Sequence, residues 1–145
     1  MDGTQMAEFL GAATRTRVGD TEKLTLNLGV VDLGQIDLLV QEGFYSNRSD
    51  LIRTAIRNQI AIHADTVRQT VARRTLALGL QHVTRADLER EVAQGRMLRI
   101  HVVGLARIAP DVTPELARAA IASVEVLGAF HASPAVRAAL ADRIS

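Results

Sequence analysis

Three hydrogen-bonding side chains alternate with leucines near the start of the chain, over residues 23–28. Successive side chains of a β-strand point to opposite faces, so this spacing predicts a short strand with one polar and one apolar face. Lysine donates hydrogen bonds, whereas threonine and asparagine both donate and accept them, so the polar face is suited to recognition. The polar residues are Lys23, Thr25 and Asn27, and the apolar residues are Leu24, Leu26 and Leu28.

The predicted strand has no hairpin partner in the neighbouring sequence. A lone strand would leave its backbone N–H and C=O groups unpaired, which costs free energy wherever they are shielded from water. The simplest remedy is pairing with the same strand of a second chain. The sequence therefore predicts a homodimer.

Two helices should follow this strand. The first is predicted over residues 32–42, with Asp32 as N-cap and Gly43 as the C-terminal cap. The second is predicted to begin near Ser49 as its cap and to run on, with or without a kink, toward Leu78, with Gly79 as its stop. Their apolar faces at helical spacing include Ile36, Leu39, Ile52 and Ile56.

The order strand, helix, tight turn and helix, together with the run Gly43-Phe-Tyr-Ser-Asn-Arg-Ser-Asp-Leu-Ile-Arg, resembles the ribbon-helix-helix regulators of the CopG/Arc/MetJ superfamily. The resemblance covers about forty residues of the N-terminal half only. It implies a dimer whose two strands form an antiparallel ribbon that enters the major groove of double-stranded DNA. The expected function is that of a transcription regulator of the repressor type.

The resemblance also assigns roles to residues. Lys23 would donate to guanine, Asn27 would read adenine, and Thr25 would contact either a polar edge or a thymine methyl. Phosphate contacts would come from Asn47, Arg48 and Ser49 at the start of the second helix, where backbone N–H groups are free. The arginines of the N-terminal arm, Arg15 and Arg17, are further candidates, although the arm can equally be a solvated tail. The dimer core would contain Leu24, Leu26, Leu28, Ile36, Leu39, Ile52 and Ile56.

The C-terminal half is predicted to alternate strands and helices. Thr84 and Asp87 have the spacing of a capping box, and Thr113-Pro114 and Ser133-Pro134 each place a cap before a proline. Helices are predicted from these caps, the last reaching about Ile144, with strands at 96–108 and 124–132. Val102-Val103-Gly104-Leu105 matches Val126-Leu127-Gly128-Ala129 at an offset of 24 residues, which suggests a solenoid-like repeat.

The predicted fold class is therefore α+β, with a β-α-α unit followed by a small βαβα domain. Three parts are expected: a flexible arm over residues 1–21, a DNA-binding domain over 22–80 with an extended second helix, and an oligomerisation domain over 81–145. The repeats leave apolar faces uncovered, so the last part is expected to join subunits into a dimer or a higher oligomer.

The sequence also argues against several classes of function. It contains no cysteine, no phosphate-binding glycine loop, no nucleophile elbow and no carboxylate dyad, so neither an enzyme nor a cofactor is expected. The four histidines have no metal-ligand spacing, and a solvated or hydrogen-bonded strand face is predicted for His101 and His131. The N-terminus lacks a signal-like apolar run, so the expected location is the cytoplasm, in association with the nucleoid.

Three functional hypotheses remain open at this point. The first is a sequence-specific repressor. The second is an antitoxin that binds a toxin protein through its C-terminus; the capped, proline-containing C-terminal half is unlike the disordered tails typical of antitoxins. The third is a self-assembling protein that organises or partitions DNA. The net charge of +1 does not choose among them, because DNA binding depends on where the charges lie.

Overall fold

A computed structural model describes residues 20–145 of the protein. Residues 22–29 form neither a helix nor a strand and lead into three helices. These are α1 (Val30–Gln41), α2 (Arg48–Ile62) and α3 (Ala64–Arg73). Three strand–helix units follow, and their elements are β1 (Ala77–Val83), α4 (Arg85–Ala93), β2 (Leu98–Ile108), α5 (Pro114–Ala120), β3 (Ile121–His131) and α6 (Pro134–Ala139).

Helix α1 begins two residues earlier than the sequence predicts. Its N-cap is Gly29, and the backbone N–H of Leu33 donates to the Gly29 carbonyl at 3.0 Å. Asp32 is therefore not the cap, but its charge lies in the first helical turn, where the positive end of the helix dipole favours a carboxylate. The predicted C-terminal cap is correct. Gly43 has φ +84°, and Phe44 N–H donates to the Leu39 carbonyl in a Schellman motif.

The start of α2 also differs from the prediction. Asn47, and not Ser49, is the N-cap, because its side-chain oxygen accepts a hydrogen bond from the backbone N–H of Asp50 at 2.8 Å. In return, a carboxylate oxygen of Asp50 accepts from the Ser46 N–H at 2.9 Å. The first turn of α2 is thus held by side chains on both sides of its first residue, and Ser49 lies inside the helix.

The predicted continuation of α2 is correct as far as Arg73, with the kink that the prediction allowed, but its predicted end near Leu78 is wrong. The helix is interrupted at His63, restarts as α3 and ends at Arg73. Thr75 then adopts φ +54°, and Leu76 N–H donates to the Val71 carbonyl at 2.9 Å. Gly79, the predicted stop, lies within strand β1. Pairing of residues 77–83 with β2 therefore overrides the helical pattern of this stretch.

The three strands form a parallel sheet in the order β1-β2-β3. Helices α4, α5 and α6 stack beside one another, and buried residues from the strands and these helices form one core. Strand β1 makes this a βαβαβα arrangement and not the predicted βαβα, and the sheet begins at Ala77, before residue 81. The core side chains that are least exposed include Leu88, Ile100, Val102, Ile121, Val124, Val136 and Leu140.

The predicted 24-residue repeat corresponds to the register of the sheet. Gly104 pairs with Gly128, and Gly79 of β1 pairs with Gly104, so one glycine from each strand forms a row across the sheet. All three have positive φ, between +120° and +137°. A Cβ added at Gly104 would lie 2.1 Å from the Gly79 carbonyl oxygen, and one at Gly128 would lie 2.1 Å from the Gly104 oxygen. Only glycine fits this row.

The three predicted helix caps of the C-terminal half are confirmed. Thr84 and Asp87 form a reciprocal capping box, and Thr113 and Ser133 accept from Leu116 N–H and Val136 N–H. The last helix is shorter than predicted and gives way to a 3₁₀ turn at Ala141–Arg143. The chain then turns back on the sheet, since Arg143 donates to the carbonyl of Ile121 at 2.6 Å and Ser145 N–H donates to that of Val124 at 2.9 Å.

Strand β3 begins at Ile121, earlier than the predicted residue 124.

No helix within residues 20–145 is long and apolar enough to cross a membrane.

Candidate nucleic-acid interface

The residues predicted to read bases lie on an exposed segment without regular secondary structure, residues 22–29. Lys23, Thr25 and Asn27 are all exposed on it. The intervening leucines are exposed as well, with Leu24 at 76% and Leu26 at 51% of their full accessible area. Within the described chain this segment pairs with no strand. Both its backbone groups and its leucine face are therefore available to a second molecule.

The helices that follow have no buried residue in a single copy of the chain. This holds for α1, α2 and α3 alike. Of the residues predicted for the dimer core, Ile36 and Ile52 are half-buried, whereas Leu39 and Ile56 remain exposed. Apolar side chains that are contiguous and exposed mark interaction surfaces. In a single copy, residues 20–73 thus contain no buried residue that could form a core.

The start of α2 retains two backbone donors. The capping interactions use the N–H groups of Ser46 and Asp50, and Leu51 N–H donates to the Asn47 carbonyl at 3.3 Å. The N–H groups of Arg48 and Ser49 have no acceptor among the described residues. Ser49 is exposed, so its hydroxyl can add a third donor to an anion placed there. Asn47 presents its amide NH₂, since its oxygen is engaged as the cap.

Arg48 is held by an acidic side chain from α1. Its Nε lies 2.7 Å from Asp37 Oδ1, and its Nη2 lies 2.8 Å from Asp37 Oδ2, which is a bidentate pair. The hydrogen bond from Arg48, followed by its positive charge, lowers the pKa of the Asp37 carboxyl. The guanidinium keeps its charge, but its donors toward a phosphate are partly occupied. Asp37 has no expected role from the sequence, because its partner Arg48 lies eleven residues away on another helix. The spacing Asn47-x-x-Asp50, in contrast, is a local signal for the cap of α2.

Further cations line the exposed side of α2. Arg53 and Arg57 are both exposed, one helical turn apart, and both lie beyond the N-terminal turn that carries Arg48. Such a row can meet a phosphate backbone without reading sequence. The other two candidates for phosphate contacts, Arg15 and Arg17, lie outside the described residues.

The outward face of the parallel sheet carries histidines in hydrogen-bonded positions. The Nε2 atom of His101 lies 3.0 Å from the Ser123 hydroxyl oxygen, and that of His131 lies 3.2 Å from a Glu22 carboxylate oxygen. In residues 20–145 no group of three or more His, Cys, Asp or Glu side chains is arranged to hold a metal ion. Beside His101, a cleft of about 920 Å³ lies between the end of α3 and the sheet, lined among others by Arg74, Leu80 and Arg99.

Three features together are typical of one class of DNA-binding regulator. They are an exposed segment of alternating sequence, two helices joined by a tight turn, and free amides at the start of the second helix. A family model for ribbon-helix-helix transcriptional regulators matches residues 19–137. The chain therefore belongs to the ribbon-helix-helix transcriptional regulator family. The match extends beyond the N-terminal half to which the sequence resemblance was confined, and it includes most of the strand–helix units.

Proteins of this family bind DNA, and they are typically dimeric and typically without enzymatic activity. No match was found among curated proteins or among solved structures.

Proposed function

We propose that the protein is a sequence-specific transcriptional repressor that reads the major groove with a two-stranded ribbon formed by residues 23–28 of two copies. The observation that carries this proposal is that residues 23–28 are all exposed and pair with no strand among the described residues. In the sequence of this segment three exposed leucines alternate with three hydrogen-bonding side chains.

Pairing of two copies would both satisfy the unpaired backbone groups of the N-terminal half and cover its exposed leucines. The segments would supply each other with backbone hydrogen bonds, since an antiparallel pair of identical strands is compatible with a two-fold axis. Their leucines, with Leu39 and Ile56, would be covered by the helices of both chains. Full burial of an exposed leucine contributes on the order of 1.5–3 kcal/mol. Covering the leucine area that is still exposed on two segments would therefore offset much of the cost of association.

Readout would then depend on the exposed face of the ribbon. Lys23, Thr25 and Asn27 would approach base edges, and each good contact would contribute on the order of 1–3 kcal/mol of discrimination. The amides of Arg48 and Ser49 would hold one phosphate and fix the register of the ribbon, with the side chain of Asn47 beside them. Arg15 and Arg17 remain proposed phosphate contacts of the arm.

The proposal is tested by retention of genomic DNA fragments on the purified protein, followed by sequencing of the bound fragments. The variant K23A/T25A/N27A removes the proposed readout. The matched control T66A/R68A/Q69A removes the same kinds of side chain, a threonine, a cation and an amide, from exposed positions of α3. We expect a short shared motif with wild type and with the control variant, and loss of that motif with the readout variant.

Two other results would contradict the proposal. Retention without a shared motif would favour a protein that organises DNA, and no retention at low salt would remove the DNA-reading role of this surface. Co-purification with a toxin from the host, together with loss of repression on its release, would favour the antitoxin hypothesis instead.

We further propose that the strand–helix half is an assembly domain, which follows the arm and the DNA-binding part. We also propose that the protein acts in the cytoplasm on the nucleoid. The open edge of β1 supports assembly, because among the described strands β1 pairs with β2 alone and leaves the backbone groups of its other side unpaired. Joined ribbons on adjacent half-sites would bind with avidity.

A further inference from the structure

The face of the sheet opposite helices α4–α6 carries an apolar patch two rows deep. Leu78, Val103 and Leu127 form one row across the three strands, and Leu80, Leu105 and Ala129 form the next row. None of these six residues belongs to the core beneath the helices, although Leu105 is only 6% exposed. They therefore face away from that core.

Polar rows border this patch at both ends. On one side His101 pairs with Glu125, and on the other side His82, Arg107 and His131 lie side by side. An apolar centre with a polar rim is the usual composition of a protein–protein interface. Leu78, Leu80 and Leu127, which lie on the two outer strands, are the exposed members of the patch.

The start of the ribbon segment is attached to the rim of this patch. Arg107 pairs with Asp20 at 3.5 Å, and His131 pairs with Glu22 at 3.2 Å, immediately before Lys23. At the other end of the N-terminal half, the short linker 74–76 connects α3 to β1. Within this linker, Arg74 forms a salt bridge with Glu125 on the rim. A second copy whose segment pairs with residues 23–28 would therefore have its own sheet close to this face.

The area of the patch also indicates which molecule covers it. Three strands about 4.8 Å apart and two outward rows, each taking up about 6.6 Å along a strand, give roughly 190 Å² per copy. Two such faces bury about 380 Å², well under the roughly 1,000 Å² that an independent interface needs. The patch is thus too small to recruit a free partner, but a copy already joined through the ribbon is present at an effective concentration in the millimolar range.

From these observations we infer that, within one dimer, the patch docks against the same patch of the second copy, so that the two sheets pack face to face. This inference rests on the ribbon dimer proposed above. Because the contact is isologous, residues at the centre of the patch lie near the two-fold axis and close to their own copies. Val103, on the central strand, is that residue.

The chain has no cysteine, so a single introduced cysteine reports one position without background. Val103→Cys places a thiol at the centre of the patch with little change in volume. Ala138→Cys is the matched control, exposed on α6 on the opposite side of the sheet. Both full-length variants are treated with a short bis-maleimide over a wide range of protein concentration, after light scattering has given their mass and circular dichroism has confirmed their fold. Leu105→Cys, at the other patch residue of the central strand, serves as a second reporter if Val103→Cys does not fold.

We expect Val103→Cys to form a covalent dimer in a yield that does not depend on protein concentration, and Ala138→Cys to stay uncrosslinked. A protein that is dimeric by mass but not crosslinked at Val103 would overturn the face-to-face contact and leave the ribbon dimer standing. A yield that rises with concentration would assign the contact to separate dimers and overturn the inference. A monomer at every concentration would overturn the ribbon dimer and, with it, this inference.

Discussion

Replacement of the central glycine of the sheet, Gly104→Ala, tests whether the glycine row holds the C-terminal half together. The added Cβ would lie 2.1 Å from the Gly79 carbonyl oxygen and 3.0 Å from its carbonyl carbon. Both atoms belong to the backbone of β1, so no side-chain rotation can relieve the overlap. Residue 104 also has φ +137°, which alanine rarely adopts.

The expected loss of stability follows from the overlap of the added Cβ with β1 and from the positive φ at residue 104. A non-glycine residue in this backbone region costs about 1–3 kcal/mol. Separation of β1 from β2 by an ångström or so would also weaken one or two ladder hydrogen bonds, worth about 0.5–1.5 kcal/mol each. The total of about 2–6 kcal/mol is a large part of the 5–15 kcal/mol that stabilises an ordinary domain.

Urea unfolding followed by circular dichroism at one fixed protein concentration measures this loss. Gly34→Ala is the control, because a Cβ there meets no atom within 4 Å and the residue lies inside helix α1. Alanine at position 34 should stabilise the helix by about 0.5–1 kcal/mol. A Gly104→Ala protein as stable as wild type would refute the account of the glycine row.

Three further changes test local interactions. Thr84→Ala should lower the free energy of unfolding by about 1 kcal/mol, because it removes the cap of α4. Thr75→Gly should raise it by up to about 1 kcal/mol, since Thr75 has φ +54° after α3. Asp37→Asn should reduce the loss of stability in acid. The pKa of Asp37 is lowered in the folded chain, so its pairing with Arg48 stabilises above the ordinary aspartate pKa of about 4 and is lost as the pH falls through the lowered value.

Each of these changes has a control in the same urea assay. Thr66→Ala removes an exposed threonine of α3 and should leave stability within about 0.5 kcal/mol of wild type. Asp65→Asn removes an almost wholly exposed ion-paired aspartate and serves for the acid series. A Thr75→Gly protein less stable than wild type would disprove the strain at that residue, and identical acid profiles for wild type and Asp37→Asn would disprove the role of the Asp37–Arg48 pair.

The sequence by itself determined the features that depend on residues close together in the chain. Caps and turns are such features, because a side chain that accepts a hydrogen bond two or three residues away needs no other part of the fold. The capping box at Thr84, the cap and proline at Thr113, and the glycine end of α1 could all be predicted for this reason. The family could be recognised from the Gly43–Arg53 run, which is likewise local.

Only the tertiary structure decided what depends on distant partners. The helical pattern is predicted to run to Leu78, yet residues 77–83 form a strand because β2 offers a parallel partner 25 residues away in register. The bidentate pairing of Arg48 with Asp37 joins two helices, and the apolar patch exists only because three strands place their residues in rows. Such pairings depend on a fold that brings separate segments together, and no periodicity within one segment specifies its partner.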